Sequence, residues 1–431
     1  MHDQVKCYKS PIRAKGLFYV MLFLLLLALP VAAKEGSQTK SGFEDVPQFG
    51  GPSSVGGTLK EDDEVRKPLF RLEGVDRALQ PWFDWKGGLD KDYGLSFGLD
   101  YSALGQIASD SLGKDNAAGG IFRFFGNWTV LGRESGNTGS IVFKVENRHR
   151  LGTDIAPQNL GFEAGYLGIT GTAFSDYGWG LTNLYWKQRF NQGRISFVAG
   201  AVDVTDYLDV YGLINPWTSF QNLSFLTNPT IPAPNQGLGA AIGAMATDNI
   251  YVIGGLADTN GDPTEPLDWF DTFFSDNEYF YHFEVGWTSS QDRIYLDNIH
   301  LTGWYADNRV KAGVERGKGL AFSAAWFFND TWMPFFRAGY SDGGGALLEA
   351  TASAGIGYYF KESKDLFGFG LNWGRPPQSG LGDQYTAEIF YRFQLTQNLA
   401  ITPDVQLIID PVLNPDESSI WVFGLRARLA L

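Results

Sequence analysis

The chain has 431 residues, a formal net charge of −14, 15% aromatic residues, 53 glycines and a single cysteine. Many aromatic residues and glycines with only four methionines are typical of numerous strands joined by tight turns rather than of helices. The acidic balance argues against nucleic acid as a partner, because binding to phosphates requires an excess of Lys and Arg.

Residues 1–33 have the composition of an export signal. Basic residues come first, an apolar run follows at residues 17–29, and small residues at 31–33 offer a cleavage site. We predict cleavage after Ala33, which removes Cys7 and leaves a mature chain without cysteine. A membrane anchor is the alternative, although the apolar run is short for a spanning helix. An exported chain without disulfides must be held together by backbone pairing and packing.

Residues 34–68 are polar and rich in Gly, Ser and charged side chains. This composition cannot bury a core and predicts a flexible periplasmic leader. The strand signals begin after it, so we assign residues 69–431 to the folded domain.

Runs in which apolar and polar residues alternate recur from residue 93 to the end of the chain. In one of them, Tyr281 and Phe283 share a face of the predicted strand, while His282 and Glu284 share the other. Successive side chains of a strand point to opposite faces, so this period of two indicates one apolar and one polar face. Such a pattern is compatible with a soluble antiparallel sheet as well as with a membrane barrel.

Three features favour the membrane barrel. The runs are about ten residues long, the length that a tilted strand needs to cross a bilayer. Short connections and longer polar ones both occur, and aromatic residues recur beside the short turns, as at a membrane interface. In the last alternating run, the apolar face includes the final residue, as in outer-membrane proteins. Those proteins usually end on an aromatic residue, whereas this chain ends on Leu431. We therefore predict an all-β fold, a transmembrane antiparallel β-barrel of about sixteen strands, with eighteen as the alternative.

Residues 203–237 form a long stretch rich in Pro, Asn and aromatic residues that does not resemble a strand. A loop of this length in a compact protein usually has a function. We expect it to fold into the lumen and narrow it, with Trp217, Phe220 and Phe225 as candidate narrowing residues. The alternative is a loop packed on the outer rim.

Residues 258–274 form a second long loop, which is acidic. Asp258, Asn260 and Asp262 lie at a spacing that can supply oxygen ligands to calcium, but Glu265 comes too early for a complete calcium-binding loop. A solvated acidic loop is the preferred interpretation, and the sequence predicts no metal or other cofactor.

The sequence gives no support for an enzyme. Residues 94–98 match the G-x-S-x-G pattern of hydrolases, but that motif needs a following helix, which the sequence does not indicate. The histidines of the mature chain, His149, His282 and His300, lie far apart and not at metal-ligand spacing.

Charged residues on the polar faces of the strands predict a water-filled pore. An Arg or Lys that faces lipid at mid-membrane costs ~2–4 kcal/mol, whereas the cost is small in a wet lumen. The predicted lumen residues are Lys144, Glu146, Arg148, Glu284, Arg337, Glu349, Glu388, Arg392, Asp404, Arg426 and Arg428. Charges of both signs with aromatic residues suit neutral, hydroxyl-rich solutes. For any single residue, a scaffold ion pair is the alternative role.

The last third of the chain resembles the OprB-type carbohydrate-selective porins. The likeness rests on residues 380–383 (GLGD), 386–396 (TAEIFYRFQLT), 399–406 (LAITPDVQ), 228–239 and 335–343. It spans about residues 139–431, whereas near the first strand the family's D-W-G-G element is interrupted by Lys86. The resemblance implies a sixteen-stranded outer-membrane barrel through which sugars diffuse passively. By motif it also implies that Glu388 and Arg392, and further Arg337, are lumen residues.

We thus expect a passive channel for carbohydrates or other small polar solutes in the outer membrane of a Gram-negative-type bacterium. Its partners would be outer-membrane lipid and these solutes, and both a homotrimer and a monomer remain open. A general or ion-selective porin is the first alternative. A hydrolase embedded in the barrel and a secreted β-protein such as a lectin are the others.

Overall fold

The computed structural model describes residues 49–64, 67–135 and 137–431. The predicted export signal, residues 1–33, and residues 34–48 of the predicted leader lie outside these ranges. Within the described ranges, no helix is both long enough and apolar enough to cross a membrane.

Sixteen antiparallel strands form a closed barrel, which confirms the predicted fold and strand number. Each strand pairs with its neighbours in the sequence, and β1 closes the barrel against β16 in a register that places Asp100 opposite Ala430. The strands are β1 Leu95–Ala108, β2 Asn116–Leu131, β3 Gly139–Arg150, β4 Gly178–Phe190, β5 Ile195–Val202, β6 Gly237–Met245, β7 Ile250–Asp258, β8 Tyr279–Thr288, β9 Asn298–Ala306, β10 Gly317–Ala325, β11 Trp332–Gly343, β12 Ala350–Tyr359, β13 Leu366–Arg375, β14 Gln384–Gln394, β15 Leu399–Ile409 and β16 Ser419–Ala430.

The two ends of the barrel differ in their connections. At one end, called the loop end, lie the longest connections, residues 151–177, 203–236 and 259–278. At the other, called the turn end, short connections join β2 to β3, β4 to β5 and so on, and here β1 begins and β16 ends. The helices are α1 Val55–Asp63, α2 Glu73–Tyr93 and α3 Pro157–Glu163, with single turns at Leu223–Leu226, Trp269–Asp271, Val204–Asp206, Gln291–Arg293 and Thr272–Asp276.

Helix α1 lies inside the barrel, in the stretch that the sequence analysis treated as a flexible leader. Ser54 caps it by accepting a hydrogen bond from the backbone of Gly57. Val55 and Leu59 are buried in one cluster with Phe125 of β2 and Val142 of β3. The polar composition does not indicate this helix, because its only large apolar residues, Val55 and Leu59, both lie on the face that contacts the barrel wall.

Helix α2 was not predicted either, since residues 69–93 were assigned to the barrel. Pro81 lies inside the helix, and its presence argues against a helix when only the sequence is considered. The helix ends at Gly94, whose left-handed φ of 72° reverses the chain into β1. Gly is favoured there because most other residues are strained at positive φ.

The largest buried apolar cluster lies within the barrel, between residues 203–236 and the wall. We call this connection the inner loop. Its Phe220 packs against Phe390 of β14, with ring centroids 4.9 Å apart. Phe390 is the one apolar residue on the otherwise polar face of β14, and it interrupts the alternation at the point where the inner loop contacts this strand. Gly370 of β13 also makes room for the loop, because a Cβ there would lie 2.7 Å from the ring of Phe225.

Candidate functional site

The strands place nearly all of the predicted lumen residues on the inner face of the barrel. Buried or nearly buried side chains at these positions contact the inner loop, helix α1 or one another. The residues are Lys144, Glu146 and Arg148 of β3, Glu284 of β8, Arg337 of β11, Glu388 and Arg392 of β14, Asp404 of β15, and Arg426 and Arg428 of β16. Glu349 differs, since it precedes β12 in a loop-end connection and is only half-buried.

Two carboxylates of the wall hold the backbone of the inner loop. Glu388 accepts hydrogen bonds from the backbone N–H groups of Gln221 (2.6 Å) and Asn222 (2.9 Å). Glu284 accepts one from the N–H of Asp209 (2.7 Å). These carboxylates therefore position the loop instead of being available to a solute.

Two arginines bind the same loop through its carbonyl groups. Arg426 donates to the carbonyl oxygens of Pro216 (2.5 Å) and Ser219 (2.9 Å). Arg337 donates to the carbonyl of Leu226 (2.8 Å) and forms an ion pair with the carboxylate of Asp209. Burial alone would raise the pKa of Asp209, but Arg337 and the neighbouring His300 hold that pKa below its usual value.

The three aromatic residues proposed to narrow the pore have different environments. Phe220 and Phe225 are fully buried against the wall and each other, with ring centroids 5.0 Å apart. Trp217 is also nearly buried, in a separate apolar cluster, and its ring lies 3.9 Å from the guanidinium of Arg123 of β2. It is the member of the set that borders the main cavity.

The main cavity has a volume of about 410 Å³ and lies between β3 and the inner loop. Its polar wall includes Lys144, Glu146 and Arg148, and the opposite side is formed by loop residues, including Asp206 and Trp217. Arg309 and Gly345 from loop-end connections also line it, which places its opening toward the loop end. This volume lies within the range of ~300–1,000 Å³ typical of small-molecule sites.

The charges around this cavity largely compensate one another. Arg148 donates to Glu146 over 2.6 Å, and the hydroxyl of Tyr177 donates to the same carboxylate over 3.2 Å. Burial, together with Asp203, raises the pKa of Asp206 to about 7, although Lys144 opposes the shift. The wall therefore offers hydrogen-bond donors and acceptors that carry charges of both signs, and not a ring of charges of one sign.

Helix α1 occupies the lumen on the turn-end side of this cavity. Glu61 accepts a hydrogen bond from Arg392 (2.6 Å), and Asp62 is bound by both terminal nitrogens of Arg428 (2.8 Å each). The ammonium group of Lys364 donates to the carbonyl of Glu61 (2.6 Å). These groups line a second, much smaller pocket of about 20 Å³, to which the inner loop also contributes.

Several charged residues of this network were missed by the sequence analysis. Asp100 of β1 forms ion pairs with Arg123 and with Arg428 (2.7 Å), and both partners are buried. Arg123 had a signal in the sequence, because it is the only charged residue in the aromatic strand β2. Glu61 and Asp62 had none, since they lie in a segment that reads as a charged linker.

The proposed calcium residues are satisfied within their own loop. Asp258 accepts hydrogen bonds from the backbone of Asn260 (2.9 Å) and from the hydroxyl of Thr272, and Asp262 accepts them from Thr264 (2.8 Å). Across residues 49–64, 67–135 and 137–431, no three His, Cys, Asp or Glu side chains form a group that could hold a metal ion.

A closed sixteen-stranded barrel with a polar lumen into which a long loop folds is the architecture of a porin-type channel. A sequence model of the family described as "Carbohydrate-selective porin, OprB family" matches residues 150–431. The match covers more than half of the chain, and the chain belongs to this family.

Two further comparisons agree with this assignment. The chain is 23% identical over 264 residues to Porin AaxA of Chlamydia trachomatis serovar L2, an alignment that covers 57% of this chain and 54% of the relative. The chain thus spans about half the length of the curated relatives that it matches. The high-pH structure of Pseudomonas putida OprB superposes with a TM-score of 0.64 at 15% identity, covering 81% of this chain and 97% of that one. The low-pH structure of the same protein gives a TM-score of 0.51 at 15% identity, covering 85% and 100%. At this identity, the structural likeness bears on the fold alone.

Proposed function

We propose that the protein is a passive outer-membrane channel for small carbohydrates and similar neutral polar solutes. The observation that carries this proposal is the cavity in which Trp217 faces a wall of compensated charges, Glu146 and Arg148 among them. An indole face covers the apolar side of a sugar ring, while carboxylates and guanidinium groups exchange hydrogen bonds with its hydroxyls. Family membership supports the same solute class.

Passage requires no chemical step. A solute entering at the loop end would exchange its water for the hydrogen-bonding groups of the β3 wall, and then pass between the inner loop and α1. Because charges of both signs line the cavity, a neutral solute meets no net electrostatic barrier, whereas an ion is attracted by some groups and repelled by others. A pore with a ring of one sign would instead select for charge.

The experiment that tests this proposal is swelling of liposomes that contain the refolded protein. Swelling is compared in glucose, in larger oligosaccharides and in a charged solute of the size of glucose, and block of conductance by added sugar is measured in planar bilayers. We expect rapid swelling in small sugars and saturable block. Equal permeation by every solute below one size would support a general porin instead, and a charge-dependent rate would support an ion-selective one.

Trp217→Ala provides the sharper test of the site. Loss of one aromatic contact of ~0.5–1.5 kcal/mol weakens sugar block by roughly 2- to 12-fold. Trp179→Ala is the matched control, because Trp179 lies near the loop end of β4, outside the set of residues that line the cavity, and is 61% exposed. Equal block in both variants and the wild type would contradict the role of Trp217 in binding sugar.

A further inference from the structure

Helix α2 runs along the rim of the barrel at the turn end. Just before the helix, the backbone N–H of Leu69 donates to the carbonyl of Gln394 (2.9 Å), and that of Phe70 to the carbonyl of Leu395 (2.8 Å), where β14 ends. After the helix, Gly94 leads directly into β1, which also begins at the turn end. Both ends of the helix are thus fixed to the same rim, so the helix lies across the barrel axis and not along it.

The helix packs on the outer surface of the wall. Asp100 faces the lumen, so Phe97, three residues earlier on β1, faces outward by the alternation of the strand. The rings of Trp82 and Trp85 lie 5.8 Å and 5.7 Å from that of Phe97. Phe97 in turn contacts Phe124 of β2 at 6.0 Å. The helix therefore continues the apolar outer surface of the first two strands.

One face of α2 is apolar in the first half of the helix, whereas charged residues share that side in the second half. At 100° per residue, Val75, Leu79 and Trp82 lie on one side, while Arg77 and Asp84 lie on the other. Contacts to the wall come from the second half of the helix. Val75 in the first half is 48% exposed to solvent.

We propose that α2 is an interfacial helix that lies in the headgroup region of the bilayer at the turn end, with its uncovered apolar face against the acyl chains. Such helices combine one apolar face with a charged one and bury the apolar side ~5–10 Å into the boundary of the headgroups. Trp82 and Trp85 suit this depth, because an indole ring combines an apolar body with a polar N–H group. The occupant we infer is phospholipid, because the exposed face is continuous with the outer wall.

This inference rests on the proposed placement of the barrel in a bilayer, but not on passage of any solute. The test attaches an environment-sensitive fluorophore to single cysteines in the full chain, in a Cys7→Ser background. The protein is refolded into phosphatidylcholine vesicles, and folding of each variant is checked by its heat-dependent electrophoretic mobility. Val75→Cys and Leu79→Cys report on the apolar face, and Arg77→Cys and Asp84→Cys are their matched controls on the polar face.

We expect the fluorophore at positions 75 and 79 to be quenched by nitroxide-labelled lipids and to be severalfold less accessible to iodide than at positions 77 and 84. Equal iodide access on both faces would overturn the proposal, because the helix would then lie in water. Protection from iodide without quenching by lipid would also overturn it, in favour of a protein partner on this face. Leu320→Cys on the outer face of β10, where Leu320 is 57% exposed, is the control that tests placement of the barrel in the bilayer separately from placement of α2. Lipid quenching at position 320 without quenching on α2 would reject the interfacial helix alone, whereas no quenching at either would reject the bilayer placement itself.

Discussion

Helix α1 is held in the lumen by two ion pairs, and their removal should open the turn end of the channel. The change is Glu61→Gln with Asp62→Asn, which keeps the shape of both side chains and removes both charges. Charge-assisted hydrogen bonds contribute ~1.5–3 kcal/mol each when buried. Glu61 is 26% exposed, so the lower end of that range applies to its pair with Arg392.

The two pairs together then stabilise the docked helix by ~3–4.5 kcal/mol, which is roughly 150- to 2,000-fold in the equilibrium between docked and undocked α1. The substitutions are made on the helix because the wall tolerates them. Arg428 keeps its ion pair with Asp100 (2.7 Å), and Arg392 keeps its hydrogen bond to the carbonyl of Lys364 (2.9 Å). Arg428 is therefore not left as an unpaired buried charge, and Arg392 loses its counter-ion but keeps this carbonyl as a hydrogen-bond acceptor, so the barrel should remain folded.

The assay is single-channel conductance of the refolded protein in planar bilayers. The double variant should show a larger open level, or frequent transitions to one, whereas the wild type should keep its conductance pattern at high salt, because partly buried ion pairs are only weakly screened. Lys60→Gln is the matched control, because Lys60 lies on the same helix but is exposed. Conductance that is the same in all three proteins at every salt concentration would refute the reasoning.

Two further predictions concern the inner loop and the main cavity. Glu388→Gln should loosen the inner loop, because the two carboxyl oxygens each accept one backbone N–H and the amide replaces one of these acceptors by a donor, a loss of about 1–3 kcal/mol. The variant should be cleaved faster by protease within residues 203–236 and show noisier conductance, and unchanged cleavage would contradict the prediction. Asp206, with its pKa raised to about 7, binds its proton more tightly in the folded state than in the unfolded state. Its contribution to stability is therefore present at acidic pH and is lost as the pH rises toward 7. The same ionisation makes the cavity more negative, so cation preference measured by reversal potential should rise between about pH 6 and pH 8. Asp206→Asn should abolish this rise, and a rise that persists in the variant would assign it to another group.

Strand alternation was sufficient to predict the wall of the barrel. The period of two in β8 and β14 predicts which side chains point outward and which point into the lumen. In the structure, side chains along both strands alternate between the two faces in this way. The strand number followed from the length of the chain and the space that each strand and its connection need. These are local properties, so they are visible in the sequence.

The partners of the lumen charges could not be predicted in the same way. Arg337, Glu388 and Arg426 read as groups facing a solute, yet in the structure they bind the inner loop. Glu61 meets Arg392 across 331 residues of sequence, and no local pattern records such a contact. A charged residue on the polar face of a strand is therefore predictable as an inward group, whereas its role depends on what else folds into the barrel.

The path of the chain between α1 and α2 has a consequence for the topology of the molecule. Residues 67–70 run along the turn-end rim, bonded to the connections after β12 and β14, and do not pass through the wall. The chain that follows α1 thus reaches the wall at the turn-end opening, close to the helix. No strand pairing holds α1 in place on this side, so occupancy of the lumen by α1 and closure of the barrel are separate equilibria, each with its own free energy.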